Sequence, residues 1–399
     1  MIKISERKCP ICKTSECEVL HKQRFVLPEG HPQSSGYDVV CCGSCGFVFA
    51  DTAVTQHDYD VFYEKFSKYQ WGPLHKETST GGGDTPWDTE RLQKTASRIA
   101  GHVRDKKSRI IDIGCANGGL LKSLKDSGYN NLHGVDPSLV CVENTKNQGI
   151  AATVGTLSSI SSDIGQYDCV ILSHVLEHVS DLRGAISVIA EYLKPEGFAY
   201  IEVPDATRYD EFVTSPFQDF NTEHINHFSY QSLSNLFSLN GWSAKENGQT
   251  EILAAEGTPY PVVYGIFDQE GSAKKQFIKD NVLKERIDTY IQKSSAIMTN
   301  IDQKITSDLT ETDEVIVWGT GQLAMKLLVE TSLGRAKIAA FVDSNPVNQG
   351  QVLCGAQILA PDQLKSMQFP IIVTSILHGQ EIEKMIKYKY QLPNKIILL

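Results

Sequence analysis

The sequence predicts an α/β protein in three parts: a small cysteine-rich segment, then two segments that each form a mostly parallel sheet covered by helices. Three observations lead to this prediction. The length of 399 residues favours two or three domains of roughly 150 residues. Six of the ten cysteines lie between Cys9 and Cys45. Apolar strands alternate with helices over residues 109–203, and the pattern returns over residues 314–375.

The middle segment shows the clearest alternation. An amphipathic helix over residues 87–103 leads into an apolar strand over residues 109–113. The next predicted elements are helix 120–127, strand 131–135, helix 139–148, strand 168–172, helix 183–193, strand 198–203 and helix 229–240. A linking helix over residues 273–309 precedes the second α/β pattern. We therefore expect three domains, over residues 1–80, 81–265 and 266–399.

The composition is that of a globular protein and disfavours nucleic acid as a partner. Hydrophobic residues make up 41% and charged residues 22%, which argues against general disorder. The net charge is −10, from 38 Lys and Arg against 48 Asp and Glu, and no dense basic block could neutralise a phosphate backbone. The sequence shows neither a signal segment nor a run of about 18 apolar residues. We expect a cytoplasmic monomer or homodimer that binds no membrane.

Two cysteine pairs near the N-terminus predict a metal site. Each pair flanks a tight turn, and 29 residues separate the pairs, which are Cys9, Cys12, Cys42 and Cys45. Two such turns supply the four thiolates of a closed, structural zinc site, which has no position for a catalytic water. Cys17 or Cys41 could replace one ligand, and a redox dithiol is the main alternative. The remaining cysteines have contexts typical of core positions: Cys115, Cys141, Cys169 and Cys354.

A glycine-rich turn follows the first strand of the middle segment. Asp112 stands two residues before Gly114, and Gly118 opens the next helix. A dinucleotide site normally shows the GxGxxG spacing with a pyrophosphate at the helix N-terminus. An acid placed before the glycine instead suits a cationic ligand without phosphates. Asp136 ends the next strand, 24 residues after Asp112, where a carboxylate can bind ribose hydroxyls.

This arrangement resembles the class I S-adenosylmethionine-dependent methyltransferases. The resemblance implies that the loop at Asp112 holds the methionine part of the cofactor and that Asp136 holds the ribose. Residues 166–178 resemble the fourth strand of that family and the helix after it, and residues 155–157 fall where the family contacts adenine. The implied cofactor-binding residues are Asp112, Gly114, Cys115, Gly118, Asp136, Pro137, Thr156, Leu157 and Ser173.

Residues 174–178, His-Val-Leu-Glu-His, allow a second interpretation. The same spacing occurs in inverted zinc peptidases. Here the histidines follow a buried strand of a cofactor domain and no third ligand is indicated, which disfavours metal-dependent hydrolysis. We interpret Glu177 and His178 as packing and capping residues at a helix start. His174 is nearer to the strand end, where ligands bind, and is a candidate contact to cofactor or substrate.

A loop after the following strand carries a candidate catalytic base. Residues 221–229 contain the pair Glu223 and His224, and loops at the carboxyl ends of parallel strands face the ligand crevice. Glu223 could orient the His224 imidazole for proton abstraction near neutral pH. The alternative is a surface loop with a chance pair of histidines.

The order of these features resembles a narrower family, the sugar C-methyltransferases that act on nucleotide-linked 4-keto-6-deoxy sugars. The likeness rests on the cysteine pairs, the middle domain, the Glu-His pair before Phe-Ser and the C-terminal α/β segment. It implies that Glu223 and His224 are catalytic and that His174 assists. Asn221 stands where the family has the tyrosine of its Tyr-x-Glu-His segment, which is a departure at a catalytic position.

The same resemblance implies an earlier tyrosine near the sugar. Tyr69 is the best candidate for it, and Tyr63 is the other. The substrate implied is a nucleotide-linked deoxy sugar, and the cofactors are S-adenosylmethionine and a structural zinc ion.

The C-terminal segment contains a dinucleotide-type loop. Gly319 and Gly321 follow a predicted strand, and Asp343 supplies an acid 24 residues after Gly319. Taken alone, this pattern predicts an NAD-dependent oxidoreductase. No second catalytic set accompanies it, so a Rossmann-like domain kept for shape, dimer contacts or binding of a nucleotide-sugar is the preferred interpretation.

The expected activity is methyl transfer to a ring carbon next to the ketone of the sugar, through an enolate made by a base. The nearest alternative is O-methylation of a saccharide hydroxyl. Further alternatives are an NAD-dependent sugar oxidoreductase and a non-enzymatic cofactor-sensing module.

Overall fold

A computed structural model describes residues 2–65, 85–160, 164–269, 276–309 and 314–399. The chain divides into two compact units, each built from three separate stretches. Unit 1 comprises Met1–Leu20, Val40–Phe212 and Glu223–Ile287, and unit 2 comprises His21–Val39, Val213–Thr222 and Asp288–Leu399. None of the helices in the described ranges combines the length and the apolar character needed to cross a membrane.

The strands and helices are numbered along the chain. The strands are β1 (Ile2–Ile4), β2 (Glu16–Arg24), β3 (Gly36–Cys42), β4 (Val48–Asp51), β5 (Arg109–Ile113), β6 (Asn131–Asp136), β7 (Ala151–Val154), β8 (Tyr167–Ser173), β9 (Leu193–Pro204), β10 (Asn226–His227), β11 (Ser243–Ala255), β12 (Thr258–Asp268), β13 (Glu314–Trp318), β14 (Lys337–Val342), β15 (Val352–Leu353), β16 (Ala356–Leu359), β17 (Ile371–Val373) and β18 (Ile396–Leu398). The helices are α1 (Gln56–Lys65), α2 (Pro86–Ala100), α3 (Gly119–Asp126), α4 (Leu139–Asn147), α5 (Leu182–Tyr192), α6 (Tyr230–Leu239), α7 (Leu283–Asp308), α8 (Gln322–Glu330) and α9 (Gly379–Lys384).

Unit 1 contains a seven-stranded sheet with the order β11-β12-β9-β8-β5-β6-β7. Strands β5 to β9 are parallel, and the β11–β12 hairpin continues the sheet in the antiparallel sense. The central strands are almost entirely apolar because helices cover both faces of a parallel sheet. The chain moves outward from β5 to β7 and then returns to β8 on the other side of β5. This reversal creates a crevice at the carboxyl ends of the strands, where such folds bind ligands.

A short strand brings the predicted catalytic loop to the N-terminal region. β10 pairs antiparallel with β4, with Asn226 opposite Phe49. β4 is in turn the neighbour of β3 in a five-stranded sheet with the order β1-β2-β3-β4-β10. The loop that carries Glu223 and His224 is therefore anchored at its C-terminal end by backbone pairing.

Unit 2 contains a six-stranded sheet with the order β15-β16-β14-β13-β17-β18. All neighbours are parallel except β15 and β16. Its core includes Ile316, Trp318, Val342 and Val373. The strand predicted over residues 314–318 coincides with β13, and α7 occupies the C-terminal two thirds of the predicted linking helix.

Candidate functional site

A cavity of about 690 Å³ lies in unit 1 at the carboxyl ends of the parallel strands. Its lining contains two sets of residues that come from different parts of the sequence. The predicted cofactor residues on its wall are Asp112, Gly114, Cys115, Asp136, Pro137, Thr156, Leu157 and Ser173. The second set consists of Tyr63, His174, Glu177, His178, Glu223 and His224.

Asp112 and Asp136 form the carboxylate pair of the cavity. Asp136 is fixed by two backbone donors, Ala116 N at 2.9 Å from Oδ2 and Ser138 N at 2.9 Å from Oδ1. Asp112 is only 3% exposed, and its Oδ1 has no hydrogen-bond partner within the part of the chain that the structure describes. Burial, helped by the charge of Asp136, raises the pKa of Asp112 to about 7. Burial also raises the pKa of Asp136, to about 6, although its backbone donors oppose the rise. Such carboxylates favour a cationic or hydroxyl-bearing ligand.

The glycines of the turn have different roles. Gly114 has a φ of +85°, and a side chain there would come within 2.6 Å of Val175 Cγ2 on the cavity wall. Gly118, with a φ of +79°, lies at the start of α3 instead of on the wall. A Cβ on Gly118 would approach the Thr145 hydroxyl of α4 to 2.6 Å. The structure thus gives Gly118 a turn and packing role.

His174 begins the second polar set directly after β8. Its φ of +57° is in the left-handed region, which is uncommon for a residue with a side chain and often found at functional sites. Its Nδ1 lies 3.2 Å from Glu177 Oε1, and its Nε2 lies 3.7 Å from Glu202 Oε1. The imidazole is therefore placed between two buried carboxylates.

Glu177 and His178 line the cavity, so the interpretation of both as packing and capping residues was incomplete. Glu177 is 1% exposed. Burial alone would raise its pKa, but His178, His174 and His224 outweigh that effect and lower the pKa to about 2. His178 Nδ1 lies 3.0 Å from the backbone oxygen of Glu223 and must donate to it.

His224 packs against His178, with ring centroids 5.0 Å apart. Burial, reinforced by His178, lowers the pKa of His224 to about 3, so its imidazole is neutral at physiological pH. Glu223 Oε2 accepts a 3.0 Å hydrogen bond from Tyr63 OH, and the Tyr63 ring packs edge-on against His178. The structure thereby connects the alternative sugar-side tyrosine to the Glu-His pair.

Two further predicted catalytic residues remain to be placed. Tyr69 lies outside the described residues. Asn221 belongs to unit 2, where its side-chain amide donates to Gln218 O at 3.2 Å and its backbone oxygen accepts from Tyr37 OH at 2.7 Å.

Arg7 joins the two segments that carry His174, Glu177, His178, Glu223 and His224, which are called the His-Glu cluster below. Its buried guanidinium donates to Ile225 O at 3.0 Å, to Asn226 Oδ1 at 2.9 Å and to Ser180 O at 2.9 Å. Asn226 extends the link, because its amide donates to Leu176 O at 2.8 Å. The turn after β8 and the loop before β10 are thus joined through one cation that lies two residues before the first cysteine pair.

The four predicted zinc ligands come together in unit 1. The sulfur atoms of four cysteines all lie within 4.8 Å of one another, those of Cys9, Cys12, Cys42 and Cys45. The Cys9–Cys45 and Cys12–Cys42 sulfur distances are 3.5 and 3.4 Å, close to the separation of about 3.8 Å expected for sulfurs bound to one tetrahedral zinc ion. Hydrogen bonding from Cys12 and its neighbours lowers the pKa of the Cys42 thiol. Cys17 and Cys41 are not part of this group.

In unit 2, the acid of the dinucleotide-type loop accepts several hydrogen bonds from neighbouring residues. Asp343 Oδ2 accepts from Thr320 N at 2.9 Å and from Asn348 Nδ2 at 3.0 Å, while Oδ1 accepts from Asn345 N at 2.8 Å. Gly319 has a φ of +98°, as a tight turn requires. These hydrogen bonds to Asp343 fix the conformation of the loop.

Comparison with known proteins identifies the middle of the chain. Residues 87–246 match the family model described as a methyltransferase domain. The chain therefore contains a class I methyltransferase domain, which confirms that part of the sequence interpretation. Residues 311–398 match a second model, described as C2185-like, N-terminal.

Similar curated proteins are ubiquinone biosynthesis O-methyltransferases. That of Rickettsia felis is 29% identical over 125 residues, which cover 30% of this chain and 50% of the relative. That of Sinorhizobium medicae is 27% identical over 183 residues, covering 40% of this chain and 67% of the relative. This chain thus spans about half the length of the first of these relatives. Among solved structures, the magnesium protoporphyrin IX methyltransferase of Synechocystis has a TM-score of 0.41 at 14% identity, over 53% of this chain and 99% of that one.

Proposed function

We propose that this protein transfers a methyl group from S-adenosylmethionine to a ring carbon next to the ketone of a nucleotide-linked deoxy sugar. The observation that carries the proposal is that one cavity is lined by both the carboxylate pair and the His-Glu cluster. The methyltransferase domain supports the cofactor. The sequence resemblance to sugar C-methyltransferases supports the acceptor.

The carboxylate pair suits the two polar parts of the cofactor. Asp112 Oδ1, which has no hydrogen-bond partner among the described residues, fits the positively charged amino group of the methionine part. Asp136, already fixed by backbone donors, has acceptor capacity left for the ribose hydroxyls. When bound, S-adenosylmethionine supplies a methyl group on a positively charged sulfur.

The His-Glu cluster supplies the groups that remove a proton from the substrate carbon. His224 is neutral and can accept the proton from the carbon next to the ketone. The ionised carboxylate of Glu177 compensates the positive charge that this transfer creates. His174 or Tyr63 would stabilise the oxygen of the enolate by hydrogen bonding. Holding the substrate carbon in line with the methyl group completes the catalytic task.

O-methylation of a saccharide hydroxyl is the second candidate. It is favoured by the similar curated proteins, which are named O-methyltransferases. The same base would serve, because a hydroxyl proton must also be removed. The two candidates differ in the acceptor atom and in the enolate, which only carbon methylation requires.

Product analysis distinguishes these candidates. The protein would be incubated with S-adenosylmethionine and a panel of nucleotide-linked keto sugars, and the products would be analysed by mass and NMR. A new methyl carbon bonded to a ring carbon next to the ketone is expected. A methyl group bonded to oxygen would establish the second candidate instead.

We further propose that the cysteine cluster binds one zinc ion with a structural role. Four sulfur donors fill a tetrahedral site and give the ion no open position for chemistry.

Asp136→Ala is expected to weaken cofactor binding. The substitution removes an acceptor for buried hydroxyls, at a cost of roughly 1–3 kcal/mol, or about 5- to 150-fold in Kd. Calorimetry with S-adenosylhomocysteine measures the change. Asp126→Ala, which removes an exposed carboxylate paired with Lys122, should leave the affinity unchanged. Equal affinities for both variants would mean that the ribose site lies elsewhere.

Cofactor affinity is expected to rise with pH between 5.5 and 7.5. The amino group of the ligand is cationic throughout and binds the ionised form of Asp112, whose pKa is raised to about 7. As the pH falls through that value the carboxyl group becomes neutral, so the affinity decreases by up to about tenfold per pH unit. Calorimetry at several pH values tests this expectation. In Asp112→Asn the affinity should be low and the pH dependence smaller, and an unchanged slope would contradict the assignment.

A further inference from the structure

The His-Glu cluster contains a space between His178 and Glu177 that has the size a metal ion requires. His178 donates its Nδ1 hydrogen to the backbone oxygen of Glu223, so Nε2 is the nitrogen that carries the lone pair in the neutral imidazole. That Nε2 lies 3.9 Å from Glu177 Oε1, too far for a hydrogen bond. Two ligands on bonds of about 2.1 Å to one ion lie about 3.0–4.2 Å apart. A histidine held through its other nitrogen by a backbone carbonyl is also the usual arrangement around a metal.

His224 supplies a third donor. One of its ring nitrogens lies within 4.8 Å of the donor atoms of Glu177 and His178. Imidazole nitrogens are common ligands of transition-metal ions. In addition, Glu177 Oε2 is buried and has no hydrogen-bond partner among the residues that the structure describes. A buried carboxylate with such an oxygen favours a cation beside it.

We propose that Glu177, His178 and His224 form a binding site for one divalent transition-metal ion such as Zn²⁺ or Co²⁺, separate from the cysteine cluster. Two imidazoles and one carboxylate are ligands that these ions accept. All three residues line the cavity, so the remaining coordination positions are available to water or to an oxygen of the substrate.

The site has a consequence that rests on the proposed function. His224 is the proposed base, and an imidazole nitrogen bound to a metal cannot accept a proton. Occupation by the ion and proton abstraction therefore exclude each other, and a bound ion inhibits the enzyme. The same three side chains would act as a base when empty and as an inhibitory site when loaded.

The binding test uses the full chain after its cysteine cluster has been loaded with Zn²⁺. Co²⁺ is then titrated by equilibrium dialysis, and absorption of the thiolate-to-cobalt type reports any exchange at the cysteines. The wild-type protein should bind one Co²⁺ without that absorption. Glu177→Gln and His224→Gln should bind it at least about 10- to 100-fold more weakly, since a lost ligand costs at least as much as a lost outer-shell partner.

His102→Gln is the matched control, because His102 Nε2 also lies near a carboxylate, at 3.1 Å from Glu246 Oε2, but does not line the cavity. It should bind Co²⁺ as the wild type does. Circular dichroism and affinity for S-adenosylhomocysteine show whether each variant is folded. If a variant does not fold, the paramagnetic effects of Co²⁺ on the imidazole resonances of wild-type His178 and His224 are measured instead. Unaffected resonances would overturn the site.

Two further results would overturn the proposal. The first is a wild-type protein that binds no Co²⁺ outside the cysteine cluster, or variants that bind it equally well. The second is Co²⁺ binding that leaves proton exchange at the substrate carbon unchanged, which would overturn the inhibitory role. Because the binding measurement needs no substrate, it stands or fails independently of the methylation chemistry.

Discussion

His224→Ala is expected to slow hydrogen exchange at the carbon next to the substrate ketone by about 10²- to 10⁴-fold, the usual loss for a general base. The enzyme would be given a nucleotide-linked keto sugar and S-adenosylhomocysteine in D₂O. Deprotonation needs no methyl donor, so the enolate is reprotonated by solvent and the carbon acquires deuterium. NMR of the sugar ring follows the exchange.

The environment of His224 keeps the proposed base in its neutral form. Burial lowers the pKa of the imidazole to about 3, so a ring nitrogen is free of its acid proton across the usual assay range. The same low pKa makes the imidazole a weak base, so transfer of the proton requires stabilisation of the imidazolium. The carboxylate of Glu177 lies beside it and stabilises the imidazolium that forms. Alanine removes the acceptor but keeps that carboxylate and both cofactor aspartates.

The control for this experiment is His102→Gln, which removes a histidine that does not line the cavity. It should exchange at the wild-type rate, and His224→Ala should bind S-adenosylhomocysteine with nearly unchanged affinity. A hydroxyl proton exchanges with water unaided and gives no such signal. If a methyl product forms on oxygen while the ring carbons keep their hydrogens, carbon methylation is wrong.

The central sheet and its carboxylate pair could be predicted because their causes are local. Continuous apolar runs define β5 and β8, and parallel strands end at one edge of the sheet. Any polar residue at such a strand end is therefore expected near the ligand crevice. Asp112 and Asp136 follow this rule and line one cavity.

Glu177 and His178 were underestimated because their spacing was interpreted as the start of an α-helix. The chain instead forms a short 3₁₀ turn over Leu176–His178, after His174 has adopted a left-handed conformation. This turn keeps both side chains at the cavity. Extending the strand-end rule to the whole turn after β8 would have included them.

The contacts that hold the His-Glu cluster in place could not be predicted, because they join residues that lie far apart in the sequence. Arg7 reaches Ile225, 218 residues away, and Tyr63 reaches Glu223, 160 residues away. No spacing or composition reports such contacts. The pairing of β10 with β4 is of the same kind, since a two-residue strand gives no periodic signal.

Cys12→Ser is expected to abolish zinc binding and to unfold the N-terminal turns. The purified wild-type protein should carry about one zinc ion per chain, as a site with four thiolates implies. Such sites contribute apparent binding free energies of about 10–16 kcal/mol in small zinc domains, so the loss is large. Metal analysis and thermal unfolding measure it. Cys41→Ser is the matched control, because Cys41 lies next to Cys42 but outside the cluster, and it should retain its zinc.

The zinc-free variant is also expected to separate cofactor binding from catalysis. Arg7 lies two residues before Cys9, and its guanidinium joins Ser180 to Ile225 across the two segments that carry the His-Glu cluster. Unfolding of the N-terminal turns should therefore displace Glu177 and His224, while Asp112 and Asp136 remain in place on the central sheet. We expect Cys12→Ser to bind S-adenosylhomocysteine almost as the wild type does but to lose exchange at the substrate carbon. A wild-type protein without zinc when prepared in the absence of chelator, or a variant that keeps full exchange activity, would contradict this coupling.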